Sequence, residues 1–150
     1  MVTDIAKFNL FLFFKLPSAW WSGVRLNSLS KTSAVVGVTH KWFNQNPFNS
    51  MFWAVQGMAA ELSTGSMVID QINESGAAIS MLVANNKATF SKKARGKIIF
   101  TSDDGDKIAV ALAKTIETGE GQTFWMCSKG VNEDGVVVST FDFEWTIKKR

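Results

Sequence analysis

The C-terminal stretch alternates apolar and polar positions. Val137, Phe141, Phe143, Trp145 and Ile147 face one way, and Thr140, Asp142, Glu144, Thr146 and Lys148 the other. A period of two with one greasy side predicts a strand that lies on a core and turns its other face to water. Asn132-Glu133-Asp134-Gly135 just before it reads as a hairpin turn, because the Asp-Gly pair supplies the positive-φ conformations such turns need. Thr123 to Cys127 then falls in the partner strand, with Cys127 expected as a small buried hydrophobe. Similar patterns predict strands over Gly23–Lys31, Ser33–Phe43, Ala77–Ser91 and Ile98–Phe100. In the second of these Val36, Val38 and Trp42 share a face, and in the third Ile79, Met81 and Val83 alternate.

Helical spacing appears in three places. Thr3 to Leu16 carries an aromatic face and stops at Pro17-Ser18. After Asp103-Asp104-Gly105, Ile108, Leu112 and Ile116 recur at helical intervals until Gly119. The third helix is the informative one. Asn46-Pro47 is a good Ncap and N1 pair, Asn49 a second cap, and Gly65 suits the left-handed residue beyond a helix end. Between them Met51, Phe52, Trp53, Ala54, Val55, Met58, Ala59, Ala60 and Leu62 cover every side of the wheel. A surface helix keeps a polar side, so this one is expected to be enclosed, with a loop after it around Asp70–Gly76. The order is helix, two strands, enclosed helix, two strands, surface helix, two strands. A curved antiparallel sheet around the enclosed helix satisfies it, an α+β fold expected to form one domain over residues 1–150.

Composition changes this picture little. The 150 residues suffice for a sizeable core, and 46% hydrophobic against 19% charged residues is the balance of a globular chain. Tyrosine is absent while Phe (12) and Trp (6) abound, so the large side chains mostly lack a polar handle. A net charge of +3 leans weakly toward an anionic partner. The apolar run Leu10–Phe14 is too short to span a bilayer and lacks the flanks of a signal peptide. One cysteine cannot form an intramolecular disulfide, which leaves a reducing, cytoplasmic location as the default expectation.

Glu61 is the candidate for chemistry. It is the only charged side chain between Lys41 and Asp70, and it sits inside the helix expected to be enclosed. Burying a carboxylate is costly, and desolvation raises its pKa toward the range useful to a general base. Two readings stay open: a base that activates water beside an electrophile, or a glutamate that reaches solvent at a helix end or subunit boundary. Near it on the wheel, Gly57 would let a substrate approach, Thr64 would hold a water or ligand, and Asn46 would donate to a carbonyl; each also has a purely structural reading. The unpaired N–H groups of the helix start offer an oxyanion site. Lys92, Lys93, Arg95 and Lys97 form a basic corner that suits phosphates or is simply a solvated turn. Phe90 and Phe100 beside it give only slight grounds for nucleic-acid binding. His40 is the lone histidine, so neither a zinc site nor a Cys-His pair is supported, and no metal is expected.

On Asn44-Gln45-Asn46 before the long helix, Glu61 within it, Lys92-Lys93-Ala94-Arg95-Gly96 after the next strand and Glu133-Asp134-Gly135 in the last turn, the chain resembles the hotdog-fold thioesterase superfamily. It is most similar there to small members near the phenylacetyl-CoA thioesterase branch, over roughly residues 23–149. The resemblance implies an acyl-CoA or acyl-carrier-protein thioester as substrate, coenzyme A being part of the substrate and no other cofactor being required. It implies Glu61 as general base, the Ala54 N–H as oxyanion donor, and Trp53 at the substrate. That branch has a His-Gly-Gly run before its acid. Phe52, Trp53 and Ala54 stand there in this chain, which narrows the pocket and keeps a non-catalytic acyl- or lipid-binding protein as the alternative. Hydratases and dehydratases of the superfamily need a histidine on or just after the helix, and none is there. The resemblance also implies a homodimer or tetramer with the site at the subunit boundary, and the all-round apolar helix argues the same way. No nucleic-acid or membrane partner is expected.

Overall fold

The computed structural model describes residues 4–150. Helix α1 (Ile5–Lys15) is capped by the Asp4 carboxylate, which accepts from the N–H groups of Ala6 and Lys7; Thr3, the expected start, lies outside the described residues. Pro17 does end α1, but it also occupies the first position of a second short helix, α2 (Pro17–Trp21), where its missing N–H costs nothing. Six strands follow: β1 (Arg25–Leu29), β2 (Ala34–Thr39), β3 (Ile79–Phe90), β4 (Lys97–Ser102), β5 (Gln122–Val131) and β6 (Val137–Lys149). They form one antiparallel sheet in the order β1-β2-β4-β5-β6-β3. The remaining helices are α3 (Trp53–Ser75), between β2 and β3, and α4 (Gly105–Thr118), between β4 and β5. Helix α3 touches β1, β2, β4, β5 and β6, so the sheet curls around it. The enclosed helix and curved antiparallel sheet expected from the hydrophobic pattern are both present.

The alternation of β6 translates directly into packing. Phe141, Phe143, Trp145 and Ile147 are buried against α3. Val137 is the exception, because the register shifts at Gly130/Val131 and Val138 takes the core position instead. Cys127 is also displaced from expectation. It points to the opposite face from buried Met126 and is only partly covered.

Helix α3 departs most from the sequence reading. It starts at Trp53 rather than at Pro47, because the Asn46 side chain closes a loop instead of a helix. Its Oδ1 accepts from the N–H groups of Phe48 and Ser50, and Asn49 adopts a positive φ of 56°. The helix also runs through Gly65 and through the expected loop to Ser75, and it is Gly76 (φ 70°) that takes the left-handed conformation. An interior glycine costs about 1 kcal/mol relative to alanine. Here the position faces the Trp145 indole, which a Cβ would approach to 3.1 Å. Met67, Val68 and Ile72 then continue the buried stripe.

Trp42 likewise leaves its expected place. Strand β2 ends at Thr39, and Trp42–Asn44 form a 3₁₀ turn with Trp42 82% exposed. Buried Asn44 holds this turn: its Oδ1 accepts from the Lys41 N–H, and its Nδ2 donates to the carbonyls of Ser22 and Thr39. Among the described residues no helix is long and apolar enough to cross a membrane.

Candidate active site

Glu61 lies on α3 where α1 crosses it. The side chain is partly buried, and no hydrogen bond or ion pair reaches its carboxylate among the described residues. Burial alone holds its pKa above the ordinary value of 4.5. Glu61 lines an enclosed cavity of about 130 Å³ walled by α1, Leu16, α3, Met81 of β3 and Trp145 of β6. Apart from Glu61, the only ionisable group on that cavity is Lys15. An acid without an architectural partner, facing a space a ligand can occupy, is the arrangement a base requires.

A second and larger cleft, about 550 Å³, opens at the N-terminus of α3. Asn46, Trp53, Lys92 and Lys93 all line it, together with Phe48 and Phe90, and no acidic residue does. The helix start supplies free donors there. The N–H groups of Val55 and Gln56 turn to the Phe52 carbonyl, whereas those of Trp53 and Ala54 have no acceptor among the described residues. Lys92 and Lys93 are exposed at the rim, a setting for phosphate oxygens.

The other candidates have different surroundings. Asn46 spends its amide on the loop, with Nδ2 donating to Ser50 Oγ at 2.9 Å. Arg95 donates from Nε to the Asn49 carbonyl and does not line the cleft. Gly57 lies beside the Phe141 ring, where a methyl group would sit at an ordinary 3.6 Å, and it lines neither the cleft nor the cavity. Thr64 is fully buried, and its hydroxyl donates to the Glu61 carbonyl and accepts from Trp145 Nε1, both at 2.9 Å. Its role is to fix the indole. His40 lines neither cavity. Cys127 has its thiol pKa raised by burial and by the Asp142 carboxylate, which disfavours the thiolate a nucleophile needs.

Gln56 is the residue that pattern reading passed over. It is buried and lines the cleft; its Nε2 donates to the Met51 carbonyl at 3.3 Å, and its Oε1 has no partner among the described residues. A lone amide in an otherwise apolar first turn was the available signal.

Within one chain Glu61 and the cleft are apart: Ala54 lies about two turns, some 10 Å, up the helix from Glu61. Both sites nevertheless border β3, the cleft at its Phe90 end and the Glu61 cavity at its Met81 end.

No family model and no curated protein matches the sequence. Solved structures match it closely in shape. A protein of unknown function from Pseudomonas aeruginosa, described as a probable thioesterase, overlays with a TM-score of 0.82 at 18% identity, covering 97% of this chain and 96% of that one. A protein of unknown function from Chlorobaculum tepidum gives 0.83 at 16% identity over 97% and 94%. A thioesterase from Haemophilus influenzae gives 0.76 at 10% identity over 99% and 93%. With its long enclosed helix and curled antiparallel sheet, the chain has the hotdog fold, and the solved proteins that share it include ones described as thioesterases.

Proposed function

We propose that this protein is a thioester hydrolase whose active site is assembled from two copies of the chain. The observation that carries the reading is Glu61: a desolvated carboxylate with no structural partner, bordering an enclosed apolar space. Two-fold antiparallel pairing of β3 with a second copy would set the Phe90 end of one strand beside the Met81 end of the other. Glu61 of one copy would then face the cleft of the other, which brings base and oxyanion donors to one substrate. The described-residue sheet leaves β3 paired on one side only, with β6.

In this reading the thioester carbonyl lies between Glu61 and the N–H groups of Trp53 and Ala54. Glu61 takes a proton from water, the resulting hydroxide adds to the carbonyl carbon, and the oxyanion is held at the helix start. Collapse breaks the carbon–sulfur bond. The thiolate leaves and is protonated, and the acyl group departs as a carboxylic acid. Lys92 and Lys93 hold the phosphates of a coenzyme A or phosphopantetheine arm. A panel of acyl-CoA substrates read with a thiol reagent tests the activity. Saturable thiol release is expected, with Glu61→Gln lowering kcat about 10²–10⁴-fold while the fold persists. Full activity in Glu61→Gln would remove the mechanism.

A non-catalytic acyl-binding protein is the second reading, favoured by Trp53, which lines the cleft with its ring 6.0 Å from that of Phe52. It predicts tight binding of an acyl-CoA without thiol release.

A further inference from the structure

The cavity beside Glu61 differs in kind from the cleft. It is small, more enclosed and lined mainly by apolar side chains beside Lys15 and Glu61, and it lies toward the C-terminal side of Glu61, away from Lys92 and Lys93. Its roof is α1 with the residue that caps it, through Phe11, Leu12 and Leu16, and its floor is Trp145 over Gly65. An apolar cavity of about 150 Å³ stays dry and accepts benzene. At about 130 Å³ this one matches a group of similar size. Resting on the hydrolase reading, we propose that this cavity is the acyl chamber, and that it admits an acyl tail of about six heavy atoms or fewer and excludes medium and long chains.

Neither wall is free to yield. The indole of Trp145 is tied through Nε1 to the buried Thr64 hydroxyl, which is itself bonded to the Glu61 carbonyl. Gly65 is already close enough to the ring that no Cβ fits without displacement. The roof is docked by Phe8 and Leu12, both buried, and by Asn9, whose side chain exchanges two hydrogen bonds with the backbone of Leu26. A longer tail would have to displace a packed helix or a hydrogen-bonded indole. Up to the limit, each methylene placed in the chamber should raise kcat/KM roughly fourfold, as burial of a CH₂ predicts. Beyond it the trend reverses.

The test is kcat/KM for straight-chain acyl-CoA substrates from two to twelve carbons, with the wild-type protein, Phe11→Ala, Leu16→Ala and Glu61→Gln. Phe11 and Leu16 are both about 40% exposed, so trimming them opens the roof without emptying the core. The expected wild-type optimum is at about four to six carbons, with at least a tenfold fall by twelve. Either roof variant should move the optimum up by roughly two carbons, read as a rise in the ratio of the eight-carbon to the four-carbon rate. A wild-type rate that keeps rising to twelve carbons, or an optimum that neither variant moves, overturns the chamber while leaving a Glu61-dependent hydrolase standing. If no thioester turns over, the hydrolase reading falls, and calorimetric binding of the free acids still decides the chamber. Hexanoate binding more tightly than dodecanoate supports it, and the reverse order overturns it.

Discussion

The two outer edges of the sheet are managed differently. At β1 the edge is covered in part from within the chain: the Asn9 amide of α1 accepts from the Leu26 N–H at 2.9 Å and donates to the Leu26 carbonyl at 3.0 Å. One side chain copies the pairing that another strand would make. At β3, among the described residues, nothing comparable occurs along its 12 residues. Leu82 is 64% exposed there, and Phe90 is about half exposed. Lysines commonly guard such edges. Yet Lys87, the strand's sole charge, sits with Nζ 5.2 Å from the centre of the Trp125 ring, on the face of the sheet rather than along its rim. A partly covered edge and an open one in the same sheet suit the proposed pairing at β3, and the open edge is the one that borders both halves of the candidate site.

The largest effect should come from blocking the open edge. Ala84 is the natural place, because β3 shifts register between Val83 and Asn85 and leaves Ala84 without a partner on β6. Proline is tolerated at such a bulge, yet it removes an edge donor and its ring obstructs a neighbouring strand. Ala84→Pro should therefore remain folded, behave as a monomer in sedimentation, and lose thioester hydrolysis by about 10²-fold or more, the scale of removing a catalytic group. Next comes the partly covered edge. Asn9→Ala leaves the Leu26 backbone groups unpaired and should cost about 1–3 kcal/mol in denaturant unfolding without changing the oligomeric state. The smallest effect concerns Glu61. Its folded-state pKa is raised, so the protein is favoured in the protonated form, and the stability this represents is full below 4.5 and lost as pH rises through the folded value. Glu61→Gln should thus be more stable than wild type at pH 7, with the difference vanishing near pH 4. Catalysis should run the opposite way, with wild-type kcat/KM rising as pH climbs through that same raised value.

What could be read from the sequence follows the range of the interaction involved. The β6 alternation and the Asn132–Gly135 turn depend on neighbours in sequence, so they were legible, and the structure keeps them. The apolar wheel from Met51 to Leu62 announced enclosure for the same reason. The end of α3 was not legible, since Gly65 is explained only by Trp145, a residue from the last strand. Its start was hidden too, because Asn46 caps a loop and a helix with the same kind of hydrogen bond. At the candidate site, isolation from other charges singled out Glu61, and Lys92 and Lys93 reached the cleft. Thr64 and Gly57 share helical positions near Glu61 but turn to Trp145 and Phe141, contacts that only the sheet topology decides. The roof over Glu61 comes from α1, an element no motif connects to it.

The proposed sharing of the site between two copies makes one measurement decisive. Glu61→Gln removes the proposed base, and Ala54→Pro removes one proposed oxyanion N–H from the first helical turn, where proline is accommodated. Each variant alone should hydrolyse a short acyl-CoA at least about 10²-fold more slowly than wild type. Mixed and allowed to exchange subunits, they should regain roughly a quarter of wild-type activity, because random pairing makes half the dimers mixed and each mixed dimer keeps one intact pair of elements. Subunit exchange with no recovery of activity would contradict the shared site.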